Sequence, residues 1–107
     1  MLTAKEENNL KTYLGFALKK KAVFVGVKME ELLKKKKATY LFILSSCNEK
    51  KKEELTSFQN DNPKLIIYHY LGDYNIKEVL GYEKLNAFII TDNNLASAIK
   101  NTLEADK

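Results

Sequence analysis

The sequence predicts an α/β fold, a three-layer α/β/α sandwich around a four-stranded mixed sheet. Three observations carry that expectation. Helical and strand-like apolar spacings alternate along the chain, with short connections between them. Thr39 to Leu44 (TYLFIL) and Lys64 to Tyr70 (KLIIYHY) carry continuous apolar runs of strand length, as expected where helices cover both faces of a sheet. With 107 residues, 45% of them hydrophobic and 30% charged, the chain has room for one globular domain, its core over residues 8–103.

The elements follow in order. Leu10, Tyr13, Leu14, Ala17 and Leu18 recur at the spacing of one helix face, and lysines 19–21 sit at the negative end of that helix's dipole, which predicts a helix from Lys5 to Lys20. Ala22 to Val25 is a short β-branched and aromatic run closed by Gly26, a strand followed by a turn. Met29, Leu32 and Leu33 mark a short second helix that ends in Lys34 to Lys37.

TYLFIL is then a central strand. Ser46 followed by Glu49 has the spacing of a capping box, which opens a helix through Asn60 with Leu55 and Phe58 inward. Asn62-Pro63 breaks that helix, and Lys64 to Tyr70 supplies another buried strand. A turn is expected at Gly72-Asp73, followed by a short helix with Ile76, Val79 and Leu80 inward, ended by Gly81. Ala87 to Thr91 (AFIIT) is the fourth strand. Asp92 caps a last helix whose inward face is Leu95, Ala98, Ile99 and Leu103, and the tail from Glu104 to Lys107 is expected to fray.

Composition narrows the chemistry. No apolar run approaches the roughly 18 to 20 residues of a membrane span, and Met1 to Lys11 lacks the apolar core of a secretory signal, so a cytoplasmic protein without membrane contact is expected. Cys47 and His69 are the only cysteine and histidine, which excludes an intrachain disulfide and a multi-thiolate zinc site; no cofactor is expected. The net charge is +4, and every basic residue is lysine. Lysine neutralises phosphates as a point charge but lacks the planar fork with which arginine grips them.

Three segments carry a family resemblance: LGFALKKKAVFVG (Leu14 to Gly26), ATYLFILSSC (Ala38 to Cys47) and GYEKLNAFIITDNNLASAI (Gly81 to Ile99). In order and spacing they are similar to the bacterial YlxQ-type members of the L-seven-Ae-like ribosomal protein superfamily, over residues 8–100. The resemblance implies an L-seven-Ae/L-thirty-e-like sandwich and a noncatalytic RNA-binding protein, ribosomal or associated with transcription and translation. Many relatives bind kink-turn RNA. The family surface maps here onto Gly26 to Glu31, Ser45 to Asn48 and Tyr82 to Asn86, and the residues expected at RNA are Gly26, Val27, Lys28, Glu30, Glu31, Ser46, Tyr82 and Lys84. The partners implied are structured RNA and ribosome- or transcription-associated proteins.

The chain departs from the family at one point. Kink-turn binders carry Gly-x-Asn-Glu-x-x-Lys, whereas Gly26 is followed by Val27, Lys28, Met29, Glu30, Glu31 and Leu32, one residue short. Depending on where the deletion falls, Met29 and Leu32 or Lys28 and Glu31 take the Glu and Lys positions. RNA recognition would then use an altered turn after Gly26.

Each candidate also has a plain structural reading. Gly26 serves backbone geometry as readily as close approach to RNA. Lys28 near a helix start is electrostatically unhelpful to the helix and makes sense beside a phosphate. Lys34 to Lys37 read as a solvated face complementing a helix dipole; Lys50 to Lys52, in the first turns of the third helix, could supply phosphate contacts but are balanced by Glu49, Glu53 and Glu54. Tyr82 either stacks on a splayed base or packs inward. His69 reads as a structural residue of its strand. A protein-interaction module anchored on Tyr13, Tyr74 and Tyr82 is the alternative function. A small phosphocysteine-type transferase using Cys47 is the third, but no glycine follows the cysteine to bring backbone donors around a phosphoryl group.

Overall fold

The computed structural model describes residues 2–72 and 74–105. Asp73, in the expected Gly72-Asp73 turn, and the last two residues of the expected frayed tail lie outside the described residues. The elements are α1 (Ala4–Lys19), β1 (Val23–Phe24), α2 (Gly26–Lys34), β2 (Tyr40–Leu44), α3 (Glu49–Asp61), β3 (Ile66–Tyr70), α4 (Ile76–Leu80), β4 (Ala87–Ile90) and α5 (Asn93–Glu104).

The strands form one sheet in the order β1-β4-β2-β3. β4 pairs antiparallel with both β1 and β2, while β2 and β3 are parallel. Thus β1, β2 and β3 run in one direction and β4 alone runs back. This polarity gathers the turn after β1, the turn after β2 and the loop before β4 at one end of the sheet, where the Leu44 amide donates to the Asn86 carbonyl at 2.8 Å.

Side-chain alternation splits the core between two layers. Phe42, Leu44, Phe88 and Ile90 face Leu10, Leu14, Ala17, Ile76, Leu80, Ala96, Ile99 and Leu103 from α1, α4 and α5. Leu41, Ile43, Ala87 and Ile89 face Met29, Leu33 and Leu55 from α2 and α3. The molecule is a three-layer α/β/α sandwich. Phe42 and Phe88, both fully buried, stack across β2 and β4 with centroids 4.9 Å apart and planes within 7°; such pairs add about 0.5–1.5 kcal/mol beyond the area they bury.

The continuous apolar runs of β2 and β4 reflect their central positions, since every residue of β4 and the last four of β2 are buried. Lys64 to Tyr70 departs from expectation: β3 is an edge strand, with Ile66 and His69 exposed and only Tyr70 of its five residues buried. The same type of run serves an edge because the residues on either face pack only from the β2 side.

The helices shift slightly. α1 begins one residue earlier than expected because Thr3 and Glu6 form a reciprocal capping box, with Glu6 N–H on the threonine hydroxyl at 3.1 Å and Thr3 N–H on the glutamate at 2.8 Å. Leu18 is exposed rather than inward. On α5 the inward residue is Ala96, while Ala98 is half-buried. Asp92 caps α5 as expected, accepting from Leu95 N–H at 3.1 Å.

The expected Ser46/Glu49 capping box does not form. Asn48 is the cap of α3, accepting from Lys51 N–H at 2.8 Å. Asparagine adjacent to the first helical residue outcompetes a serine two positions earlier, which leaves the Ser46 hydroxyl to bond elsewhere.

Candidate functional site

At the end of the sheet where β1 and β2 finish, a concavity of about 230 Å³ opens between the layers. Its wall is built from three stretches distant in sequence. Val25, Gly26 and Met29 come from the entry to α2, Lys51 and Leu55 from the first turns of α3, and Tyr82, Lys84, Leu85, Asn86 and Ala87 from the loop into β4. In open α/β sheets, ligands lie outside the carboxyl ends of strands, and this concavity occupies that place.

Gly26 has a left-handed backbone, φ +61°. The chain turns there from β1 directly into α2, and Val25, at the cap position, offers no side-chain acceptor to the first helical N–H groups. Glycine meets no steric penalty in this conformation. A β-carbon at this position would touch nothing within 4 Å, so the requirement is one of backbone conformation alone. The first turn of α2 holds no acidic residue, and its amide end stays electropositive.

The loop into β4 is fixed at both ends. Gly81 closes α4 at φ +84°, with its N–H on the Glu78 carbonyl and the Tyr82 N–H on the Lys77 carbonyl at 2.8 Å. At the other end the Ser46 hydroxyl donates to the Leu85 carbonyl at 2.8 Å, across 39 positions of sequence. Between these anchors Tyr82, Glu83 and Lys84 are exposed, Tyr82 at 37%.

Lys51 does not stand out from its neighbours in the sequence, yet it is the lysine of its run that reaches the concavity. Its position four residues before the buried Leu55 puts both on one helix face, which is the signal that marks it. Its ammonium meets Glu30 Oε1 at 3.2 Å and Glu54 Oε2 at 3.7 Å. The hydrogen bond to Glu30 holds its pKa above the ordinary lysine value, so the charge persists through the neutral range.

The structure therefore brings Gly26, Tyr82 and Lys84 around one concavity, adds Lys51, and places Glu30 behind it as Lys51's partner. Val27, 74% exposed, stands outside. Lys28 and Glu31 lie on the outer face of α2 as an exposed pair at 3.8 Å, a separation at which such surface pairs contribute little. Ser46 lines a second depression of about 350 Å³ with Leu44, Ser45, Tyr70, Tyr74 and Lys77. Leu85 lines both depressions, so the Ser46 bond lies in the partition between them.

The remaining candidates sit elsewhere. Cys47 is buried against the α2/α3 core, and burial pushes its thiol up, with Lys52 and Lys51 pulling partly the other way. A buried thiol of raised pKa is a poor nucleophile. Tyr13 and Tyr74 pack against the α1/α5 core, which leaves Tyr82 as the accessible anchor of the three tyrosines. Among the described residues, no three His, Cys, Asp or Glu side chains gather in a way that could hold a metal ion. Within the same residues no helix is long and apolar enough to cross a membrane.

No family model matches this chain, and no curated protein matches it. Among solved structures it is similar to a protein with unknown function from Bacillus halodurans C, with a TM-score of 0.74 at 11% identity over 89% of this chain and 96% of the other. At that identity the likeness speaks for the fold alone.

Proposed function

We propose that this chain is a noncatalytic cytoplasmic RNA-binding protein, associated with ribosomes or with transcription and translation, that takes an exposed base and its phosphate at the concavity between the α2 entry and the β4 loop. The observation that carries this reading is the convergence of three sequence-distant stretches, with a left-handed glycine, an exposed tyrosine and two lysines, around one opening. Phosphate suits the uncapped start of α2 and the Lys84 ammonium, which has no ion-pair partner among the described residues, with Lys51 held beside them by Glu30. A splayed base suits the Tyr82 ring, where stacking contributes about 1–3 kcal/mol in single-stranded systems. The floor of Met29, Leu55 and Ala87 is apolar, and the Asn86 side chain offers both a donor and an acceptor to a base edge.

The resemblance to YlxQ-type proteins supports the same end of the sheet. The chain lacks the Asn-Glu-x-x-Lys continuation after its glycine, and in its place the Glu30–Lys51 pair joins α2 to α3. The RNA taken is accordingly one with bulged or looped bases, read by Tyr82 and Asn86 more than by the α2 side chains.

Filter binding of a single-stranded, looped RNA by the protein and by a Tyr82→Ala, Lys84→Glu variant tests this. Retention at low salt that falls steeply as salt rises, and falls further in the variant, is expected. Absence of retention at low salt, or equal retention by both proteins, overturns it.

A further inference from the structure

Among the described residues, the opposite end of the sheet carries most of the lysines without an ion-pair partner. Because β1, β2 and β3 are co-directional, their starting residues Val23, Tyr40 and Ile66 lie in one row with the end of β4, joined by the Val23↔Ile90, Tyr40↔Ile90 and Tyr40↔Ile66 pairings. Three strand intervals span about 14 Å. Immediately before each of those strands stand lysines: 19–21 before β1, 34–37 before β2 and 64 before β3. All eight are exposed, and among the described residues only Lys20 has an ion-pair partner, Asp92 at 2.9 Å. Among the described residues, Asp61 at the end of α3 is a second carboxylate at this end.

Part of this charge answers the dipoles of α1 and α2, whose carbonyl ends point the same way. The backbone indicates more. Three helices close with the same pair of hydrogen bonds around a left-handed residue. In α4 that residue is Gly81, φ +84°; in α1 it is Lys21, φ +57°, with Lys21 N–H on Leu18 O and Ala22 N–H on Ala17 O; in α2 it is Lys36, φ +59°, with Lys36 N–H on Leu33 O and Lys37 N–H on Leu32 O. Glycine or asparagine takes this conformation at least cost. The chain uses glycine in α4 and contains ten asparagines, yet both left-handed closures at the basic end are lysine. Among the described residues, neither lysine ammonium gains an ion-pair partner to offset that cost.

The geometry points to a second interaction surface at this end, binding the phosphate backbone of duplex nucleic acid without reading its sequence. Lysine suits the task as a point charge. The lysines bracket both ends of the β1–β3 row and the helical layers above and below it, a span over which a duplex presents a phosphate charge every ~1.7 Å of its axis. A membrane is a poorer fit. The exposed apolar residues near these lysines are Phe16 and Leu18 of α1, whose side chains tilt back toward the helix start and away from the lysine end, and the single Ile66 at the start of β3, so they form no continuous apolar patch among the lysines. This surface is independent of the pocket-end reading, and either can fail without the other.

The test is fluorescence anisotropy with a labelled mixed-sequence DNA duplex, which offers no bulged base to the pocket end, titrated across salt concentrations. The protein is compared with Lys21→Asn, Lys36→Asn, a variant that suits the left-handed backbone and therefore folds at least as stably. Each phosphate no longer neutralised lowers the salt slope by about 0.9, so the double variant is expected to bind with a slope about 1.8 shallower and an affinity about tenfold weaker at low salt, with an undiminished thermal midpoint. The Tyr82→Ala, Lys84→Glu variant is expected to bind the duplex with an unchanged slope. An unchanged slope in the lysine-to-asparagine variant, loss of duplex binding in the pocket-end variant instead, or binding to phosphatidylserine vesicles without binding to the duplex each overturns the proposal.

Discussion

Replacing Gly26 and Gly15 in turn by alanine applies one chemical change to two backbones, and the structure predicts opposite signs. Neither added β-carbon meets any atom within 4 Å, so packing drops out of the comparison. At Gly26 the backbone is left-handed, φ +61°, where an L side chain costs about 1–2 kcal/mol. The stiffer unfolded chain returns about 0.4–1 kcal/mol of that, leaving a net loss of about 1 kcal/mol. Gly15 lies in the middle of α1 on its exposed face, where alanine is favoured by about 0.5–1 kcal/mol. For a domain of this size 1 kcal/mol moves the thermal midpoint by about 4–8 °C. Gly26→Ala is therefore expected to melt about 4–8 °C lower than the parent and Gly15→Ala a few degrees higher. Circular dichroism melts of the three proteins, with urea unfolding to give the free energies, measure it. Gly26→Ala as stable as the parent, or Gly15→Ala less stable, refutes the assignment of Gly26 to a strained turn and Gly15 to a regular helix.

Ser46→Ala removes the 2.8 Å bond to the Leu85 carbonyl and is expected to cost about 0.5–1.5 kcal/mol, with faster hydrogen exchange at residues 82–86; exchange there at the parental rate contradicts the tethering role. Cys47, buried and with its thiol pushed up by that burial, is expected to react with iodoacetamide only as fast as the chain opens, the rate rising with urea through the unfolding transition; prompt labelling of the native protein counts against the packing. Asp92 is held below the ordinary carboxylate value, first by the Lys20 ammonium and then by Leu95 N–H. A folded pKa below the unfolded one means a contribution that is full above the unfolded value and disappears as pH falls through the folded one. Asp92→Asn keeps the cap, so its melting deficit relative to the parent is expected at neutral pH and to vanish in acid; a deficit constant with pH contradicts the ion pair.

What is legible in the sequence is local. TYLFIL announces a strand covered on both faces, AFIIT announces a strand, and Gly81 and Asp92 announce a helix end and a helix start, because each signal lies in a few adjacent residues. The edge position of β3 is hidden, since strand order is a property of pairing and LIIYHY carries no charge to mark an edge. Two caps compete near α3, and the outcome depends on Asn48 lying next to the helix while Ser46 can reach Leu85 across the sheet. The Thr3 and Glu6 capping spacing, by contrast, is present in the sequence, masked by the stronger apolar periodicity that begins at Leu10. Of the candidate site, Gly26, Tyr82 and Lys84 follow from the resemblance and are brought together by the single reversed strand β4. Lys51 needs the phase of α3 relative to Leu55. The gathering of lysines 19–21, 34–37 and 64 needs three strands to start at one end, a relation no window of sequence contains.

Whether RNA enters the concavity is tested by ultraviolet crosslinking of the protein to cellular RNA, followed by mass spectrometry of the nucleotide-bearing peptides. Crosslinks are expected in the peptides that contain Tyr82 and the α2 entry, diminished when Tyr82 is replaced by alanine. Crosslinks confined to other peptides, or none above a control protein of equal charge, would contradict RNA binding there.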